Sequence, residues 1–192
     1  MLTPKGYTTI QAIENYLLTD ISDCFQPQVL EWIAQMEKYI ENYTGRVFIE
    51  PTTATAKYYD GNGECEMVID EFTTISSVSV NGTLIDAANY VLYPLNDERK
   101  NKIKLLYTLF YPVDPGDIII TAKWAYSKTV PYDLQWATTV LVSGIIQYSN
   151  DTSGEVQSES LGNYSVSYKD EKHWQDLEKA KEILDFYKLY NF

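Results

Sequence analysis

The sequence predicts an α+β fold: a helical frame of two N-terminal and two C-terminal helices with an inserted antiparallel β-rich subdomain. Two observations carry that expectation. Apolar residues recur at helical spacing near both chain ends, whereas from Phe48 to Tyr126 the period falls towards two and β-branched and aromatic residues dominate. The frame is expected over residues 1–49 and 127–192, and the insertion over 50–126.

The first helix is expected over residues 8–17, where Thr8 and Gln11 have capping-box spacing and Ile10, Ile13 and Leu17 share a face. A second follows over 27–43. Pro27 suits its start, Val29, Trp32, Ile33, Met36, Ile40 and Tyr43 form its stripe, and Gly45 supplies a left-handed stop. Seven short strands are expected at 55–59, 66–69, 76–80, 83–85, 90–93, 102–107 and 117–124. Asn81-Gly82 is a two-residue hairpin signal, and turns are expected at 60–63 and 114–116. PYDLQWATTVLVSGIIQY is apolar on most faces and should be the central buried helix. A last helix is expected over 171–189, with Trp174, Leu177, Ile183, Leu184, Phe186, Tyr187 and Tyr190 on its apolar face.

Composition excludes several classes. The 192 residues are 45% hydrophobic and 22% charged, enough to bury a core. No apolar run approaches the ~20 residues of a membrane helix, and MLTPKGYTTIQ lacks the apolar stretch of a secretory signal. A net charge of −12 with no basic run argues against gripping nucleic acid. Cys24 and Cys65 lie far apart and are expected to be free thiols. They cannot build a zinc site or a catalytic triad with the single histidine, His173. Phosphate-binding loops, GxSxG and HExxH are absent, so no catalytic residue, metal ligand or cofactor is expected and the chain is read as a non-enzyme. Asp60, Glu64 and Glu66 lack EF-hand spacing and read as a surface hairpin.

Two stretches resist a purely structural account. The connection from about residue 150 to 170 is long for a helix–helix link. Within it lies SESLGNYSVSY. Ser, Asn and Gly suit an exposed loop, yet Tyr164, Val166 and Tyr168 alternate with serines as in a strand. With no neighbouring strand in sequence, that strand would need another edge, in the inserted sheet or in an adjacent subunit. The terminal YKLYNF is the second stretch: its rings either dock within the domain or meet a partner.

YIENYTGRVF at 39–48, VPYDLQWATTVLVSGII at 130–146, and SESLGNYSVSY followed by a final helix resemble the head–tail connector (adaptor) proteins of tailed bacteriophages and related prophages. FTTISSVSVNGTLIDAANYVLYPL resembles the β insertion of longer members, the shortest being almost wholly helical. The resemblance implies a structural virion protein of the neck, made in the bacterial cytoplasm. Its copies would form a ring, typically twelve-fold, between the portal and the tail, stopper or tail-completion proteins, while DNA passes through the lumen without sequence-specific binding. The family has no catalytic residues to carry over. On that reading the polar ribbon reaches a neighbouring subunit or lines the lumen through Glu159, Leu161, Gly162, Tyr164 and Val166. Tyr187, Tyr190 and Phe192 would contact the portal, and Asp151, Glu155 and Glu159 would keep the channel acidic.

Rival readings are another neck protein, a carbohydrate- or protein-binding module presenting Tyr58, Tyr59, Tyr90, Tyr93 and Tyr107, and an enzyme using Asp70 or Asp97. Stoppers and tail-completion proteins tend to be more wholly β, so the helical frame favours the connector.

Overall fold

The computed structural model describes residues 3–150, 158–161, 164–167 and 171–189. The fold is α+β, in the order expected: two helices, a β-rich middle with two antiparallel sheets, and two helices. Contacts divide the chain into a unit of Met1–Arg46 with Val130–Phe192 and a unit of Val47–Thr129.

In the first unit, α1 spans Ile10–Leu17 and α2 spans Gln26–Thr44. The cap of α1 is Thr9 rather than Thr8, its hydroxyl accepting the Ala12 N–H at 3.1 Å. Thr8 is instead buried, sharing a 2.6 Å hydrogen bond with the Thr139 hydroxyl, so it serves packing and not the helix end. Gly45 ends α2 in the left-handed region at φ 71°, as its position implied. Helix α3, Tyr132–Asn150, is buried around its circumference: Leu134 and every residue from Ala137 to Ser143 are enclosed, with Ile146 beyond. Its threonines remain satisfied because Thr138 and Thr139 donate to the carbonyls of Leu134 and Gln135 at 2.8 and 2.9 Å. Helix α4, Glu171–Tyr187, lies along α3 and buries Ala180, Leu184 and Tyr187. Its expected apolar face is narrower than the sequence suggested, because Phe186 points outward.

The second unit holds β1 (Thr55–Tyr59), β2 (Glu66–Phe72), β3 (Thr74–Val80), β4 (Thr83–Ile85), β5 (Tyr90–Tyr93), β6 (Lys100–Leu105) and β7 (Ile118–Lys123). One sheet runs β1-β7-β3-β4 and the other β2-β6-β5, all neighbours antiparallel. Asn81 and Gly82 both take positive φ, 51° and 76°, and join β3 to β4 as the dipeptide predicts. Both sheets contribute to one core, including Met67, Phe72, Val80, Ile103, Leu105, Ile118 and Ile120. Alternation along β7 buries Ile118, Ile120 and Ala122. In β2 the alternation breaks: Met67 and Ile69 face inward and so does Phe72, because the register shifts between Val68 and Phe72. One extra residue in a strand moves every later side chain to the opposite face.

Glu50 fastens this unit. Its carboxylate accepts from the hydroxyls of Thr73 and Thr74 at 2.6 and 2.9 Å and from the Lys123 ammonium at 2.8 Å. The Lys123 bond, then that of Thr73, lowers its pKa from 4.5 to about 2. A depressed folded-state pKa stabilises above the unfolded value and loses that contribution as pH falls through the folded one. Glu50→Gln is therefore expected to cost about 2 kcal/mol at pH 7. The gap from wild type should close between roughly pH 5 and pH 2. Urea unfolding across that range measures it; a gap independent of pH would contradict the assignment.

Candidate functional site

The polar ribbon folds back on itself. Strands β8 (Ser158–Leu161) and β9 (Tyr164–Ser167) form an antiparallel hairpin in which Glu159 opposes Val166 and Leu161 opposes Tyr164. The expectation of a strand without a neighbour is corrected here: the partner is the ribbon's own first half. SES has weak strand propensity, and it is a strand here through its pairing with the alternating half. Four residues singled out from sequence, Glu159, Leu161, Tyr164 and Val166, are thus brought together as two cross-strand pairs. Gly162 lies outside the described residues, as do Asp151 and Glu155. Strand β9 runs beside α3, and among the described residues β8 has no second strand on its other side. A two-stranded hairpin is marginal alone and depends on what it packs against.

At the C-terminal end the expected aromatic surface is redistributed. Tyr187 is only 7% exposed, and its phenol donates to both carboxylate oxygens of Asp133 at 3.1 Å. Phe186, 78% exposed and edge-on to Tyr187, presents the ring to solvent instead. Tyr190 and Phe192 lie outside the described residues.

Tyrosine–carboxylate bonds tie α4 to each of the other three helices. Tyr16 of α1 donates to Asp176 at 2.9 Å, Tyr43 of α2 donates to Asp185, and Tyr187 reaches Asp133 at the start of α3. The Lys188 ammonium sits 4.5 Å above the Tyr43 ring, and Leu189 donates its N–H to the Thr44 carbonyl at 2.8 Å. Burial first, and the Asp185 charge second, push the Tyr39 phenol pKa up. Part of the tyrosine excess therefore has a structural use: the ring fills an apolar seam while the hydroxyl ends on an acid at its margin.

Sequence reasoning missed a second cluster. Glu37 and Glu41 lie on the apolar stripe of α2 and are buried. Glu37 accepts the backbone N–H groups of Lys5, Gly6 and Tyr7 at 2.6, 2.9 and 2.8 Å. Glu41 takes the Lys5 ammonium at 2.6 Å and the Tyr7 hydroxyl at 2.8 Å. The signal was present, since an i,i+4 acid pair interrupting the run Val29, Ile33, Ile40 needs buried donors. With these bonds made, the pair is an anchor for the N-terminal segment. Glu37→Gln, which turns an NH2 group towards donors, is expected to destabilise the chain by about 2–3 kcal/mol in chemical denaturation. An unchanged midpoint would remove that role.

The rival sites disperse. Tyr59 and Tyr90 pack against the β core, while Tyr58 and Tyr107 are exposed. Asp70 accepts from Lys57 at 2.9 Å and from Tyr59 at 2.7 Å; burial raises its pKa, but these two partners outweigh it and the net shift is downward. Asp97 accepts the Arg99 N–H at 3.1 Å in its own turn. Among the described residues no three His, Cys, Asp or Glu side chains gather as metal ligands. No described helix is long and apolar enough to cross a membrane.

No protein-family model and no curated protein matches the sequence. Solved structures do match. A chain in the neck of an empty gene transfer agent (GTA) particle, computed with C6 symmetry, superposes with a TM-score of 0.59 at 14% identity. That match covers 100% of this chain and 94% of the other. A chain in the virion of a native gene transfer agent particle gives 0.57 at 16% identity, again over 100% and 94%. These likenesses establish a shared fold across the whole length.

Proposed function

We propose that the chain is a structural protein of a phage-like neck: a connector whose copies form a ring between the portal at the capsid vertex and the stopper or tail-completion proteins. The observation that carries the reading is the full-length fold shared with a chain of a particle neck, at a TM-score of 0.59. The connector-like residues at 39–48 and 130–146 support it from an independent side. A ring of twelve is compatible with the six-fold symmetry applied to that neck.

The chemistry suits assembly rather than bond-making. A ring needs a heterologous contact that closes, and many weak copies of it add up through multivalency. The side of β8 that pairs with no strand among the described residues offers backbone donors and acceptors for such a contact, with Glu159, Leu161, Gly162, Tyr164 and Val166 at or near it. The portal contact is made by exposed Phe186 together with Tyr190 and Phe192, in place of Tyr187, whose ring turns inward. DNA in the lumen meets a protein of net charge −12 and passes without the counterion release that would hold it.

Mixing the purified chain with the portal of the same particle tests this. Electron microscopy should show a ring stacked on the portal. Replacing residues 158–167 by a glycine–serine linker should abolish the ring while leaving the helical circular dichroism intact. Single, unattached molecules beside the portal would overturn the proposal.

A further inference from the structure

We infer that β5, an edge of the inserted sheet, receives β8 of the next copy in the ring, so that Glu159 of one copy lies beside Lys102 and Lys104 of the other. The contact deepens the neck reading and rests on it, because copies must already be neighbours for it to form.

The sheet β2-β6-β5 ends differently at its two edges. At β2 the core-side residues Met67, Ile69 and Phe72 are buried, and Asp70 is bonded to Lys57 and Tyr59 of β1. At β5 the core-side residues Tyr90 and Leu92 stand opposite Leu105 and Ile103, which are enclosed, yet both remain half-buried. Among the described residues β5 pairs with β6 alone. Its outer edge therefore combines open backbone groups with an incompletely covered core, and a further strand satisfies both. Strand β8 has the matching need. It is four residues long, as β5 is, it pairs with β9 alone, and the hairpin joins neither sheet of its own chain. Addition at β5 would link β2-β6-β5 and β8-β9 into one sheet across the boundary between copies.

Charge selects β8 and its register. Val91 and Tyr93 share the outer face of the sheet with Lys104 and Lys102, their partners on β6, and the Lys102 ammonium lies 5.0 Å from the Tyr93 ring centroid. Lys102 and Lys104 divide one carboxylate, Glu66, at 3.0 and 2.9 Å, while the Lys100 ammonium donates to the carbonyls of Pro94 and Leu95. The other acids around this sheet are engaged: Asp70 with Lys57, Asp97 and Glu71 with Arg99, Glu98 with Lys128, and Asp86 with the Ala88 N–H. The outer face of β6 thus carries more ammonium than carboxylate. Glu159 is the only charged residue from 158 to 167, and in the hairpin it stands opposite Val166 rather than a cation. Faces alternate along a strand, so a register that sets Glu159 beside the lysines brings Leu161 to Val91 and Tyr93, and the small Ser158 and Ser160 to the side of Tyr90 and Leu92. The competing arrangement is a pair inside one copy, with Lys169, Lys172, His173 or Lys179, the cations that follow the hairpin in sequence.

The test assembles the full chain on the portal of the same particle from an equal mixture of ¹⁴N- and ¹⁵N-labelled copies. A carbodiimide, which joins a carboxylate to an amine with no spacer, is added and the linked peptides are read by mass spectrometry. Glu159 should be joined to Lys102 or Lys104 in pairs of mixed isotope. Rings in which Glu159 is linked only to Lys169, Lys172 or Lys179, or to nothing, would overturn this contact and leave the neck reading standing; a wild-type chain that forms no ring would overturn the neck reading itself. Reversing the charge gives a second measurement. Glu159→Lys should cut the yield of rings about tenfold with the melting temperature unchanged. Adding Lys104→Glu to the same chain should recover most of that yield, and a Glu159→Lys chain that forms rings as well as wild type would sink the idea.

Discussion

A helix that is buried on every side cannot rest on a single neighbour, and the middle of α3 is such a helix. Its residues from Ala137 to Ser143 are all buried, and α1, α2 and α4 each pack against it. Covering that circumference orders the N- and C-terminal segments into one unit although they are far apart in sequence. Apolar burial supplies most of the drive, but it is non-directional and does not by itself fix which way each surrounding helix faces. The polar bonds at the seams supply direction. Tyr16, Tyr43 and Tyr187 pin α4 to three different helices, and Glu37 with Glu41 pins the segment before α1. Breaking such a bond leaves a buried group without a partner, so alternative packings are penalised more than the native one is rewarded.

The helical unit and the β-rich unit are secured in different ways. The helices cover one another around α3, and between α3 and α4 the chain makes the β8–β9 hairpin. The β-rich unit secures itself in a different way, through one core shared by two sheets and the Glu50 clamp across β7 and the β2–β3 corner.

Much of this was legible in the residues. The helical recurrence of Val29, Ile33 and Ile40, the stop at Gly45 and the turn at Asn81-Gly82 each follow from local geometry. Strands β1, β4 and β5 fall at their expected positions. What escaped depends on groups distant in sequence. Phe72 faces the core because of a bulge set by pairing with β6. Thr8 is claimed by Thr139 rather than by its own helix, and Tyr187 turns inward because Asp133, 54 residues away, receives its hydroxyl. Ser158 to Ser160 show no strand pattern of their own and become a strand only when Tyr164 to Ser167 fold against them. Within the candidate site, the residue choice was readable from alternation and the pairing partner was not.

Cryo-electron microscopy of intact particles made by the host of this chain tests the central claim most directly. The account predicts a closed ring of copies at the capsid vertex, between portal and tail, with each α+β protomer resolved and its hairpin reaching across a subunit boundary. Particles whose neck contains no density that fits this chain would contradict it.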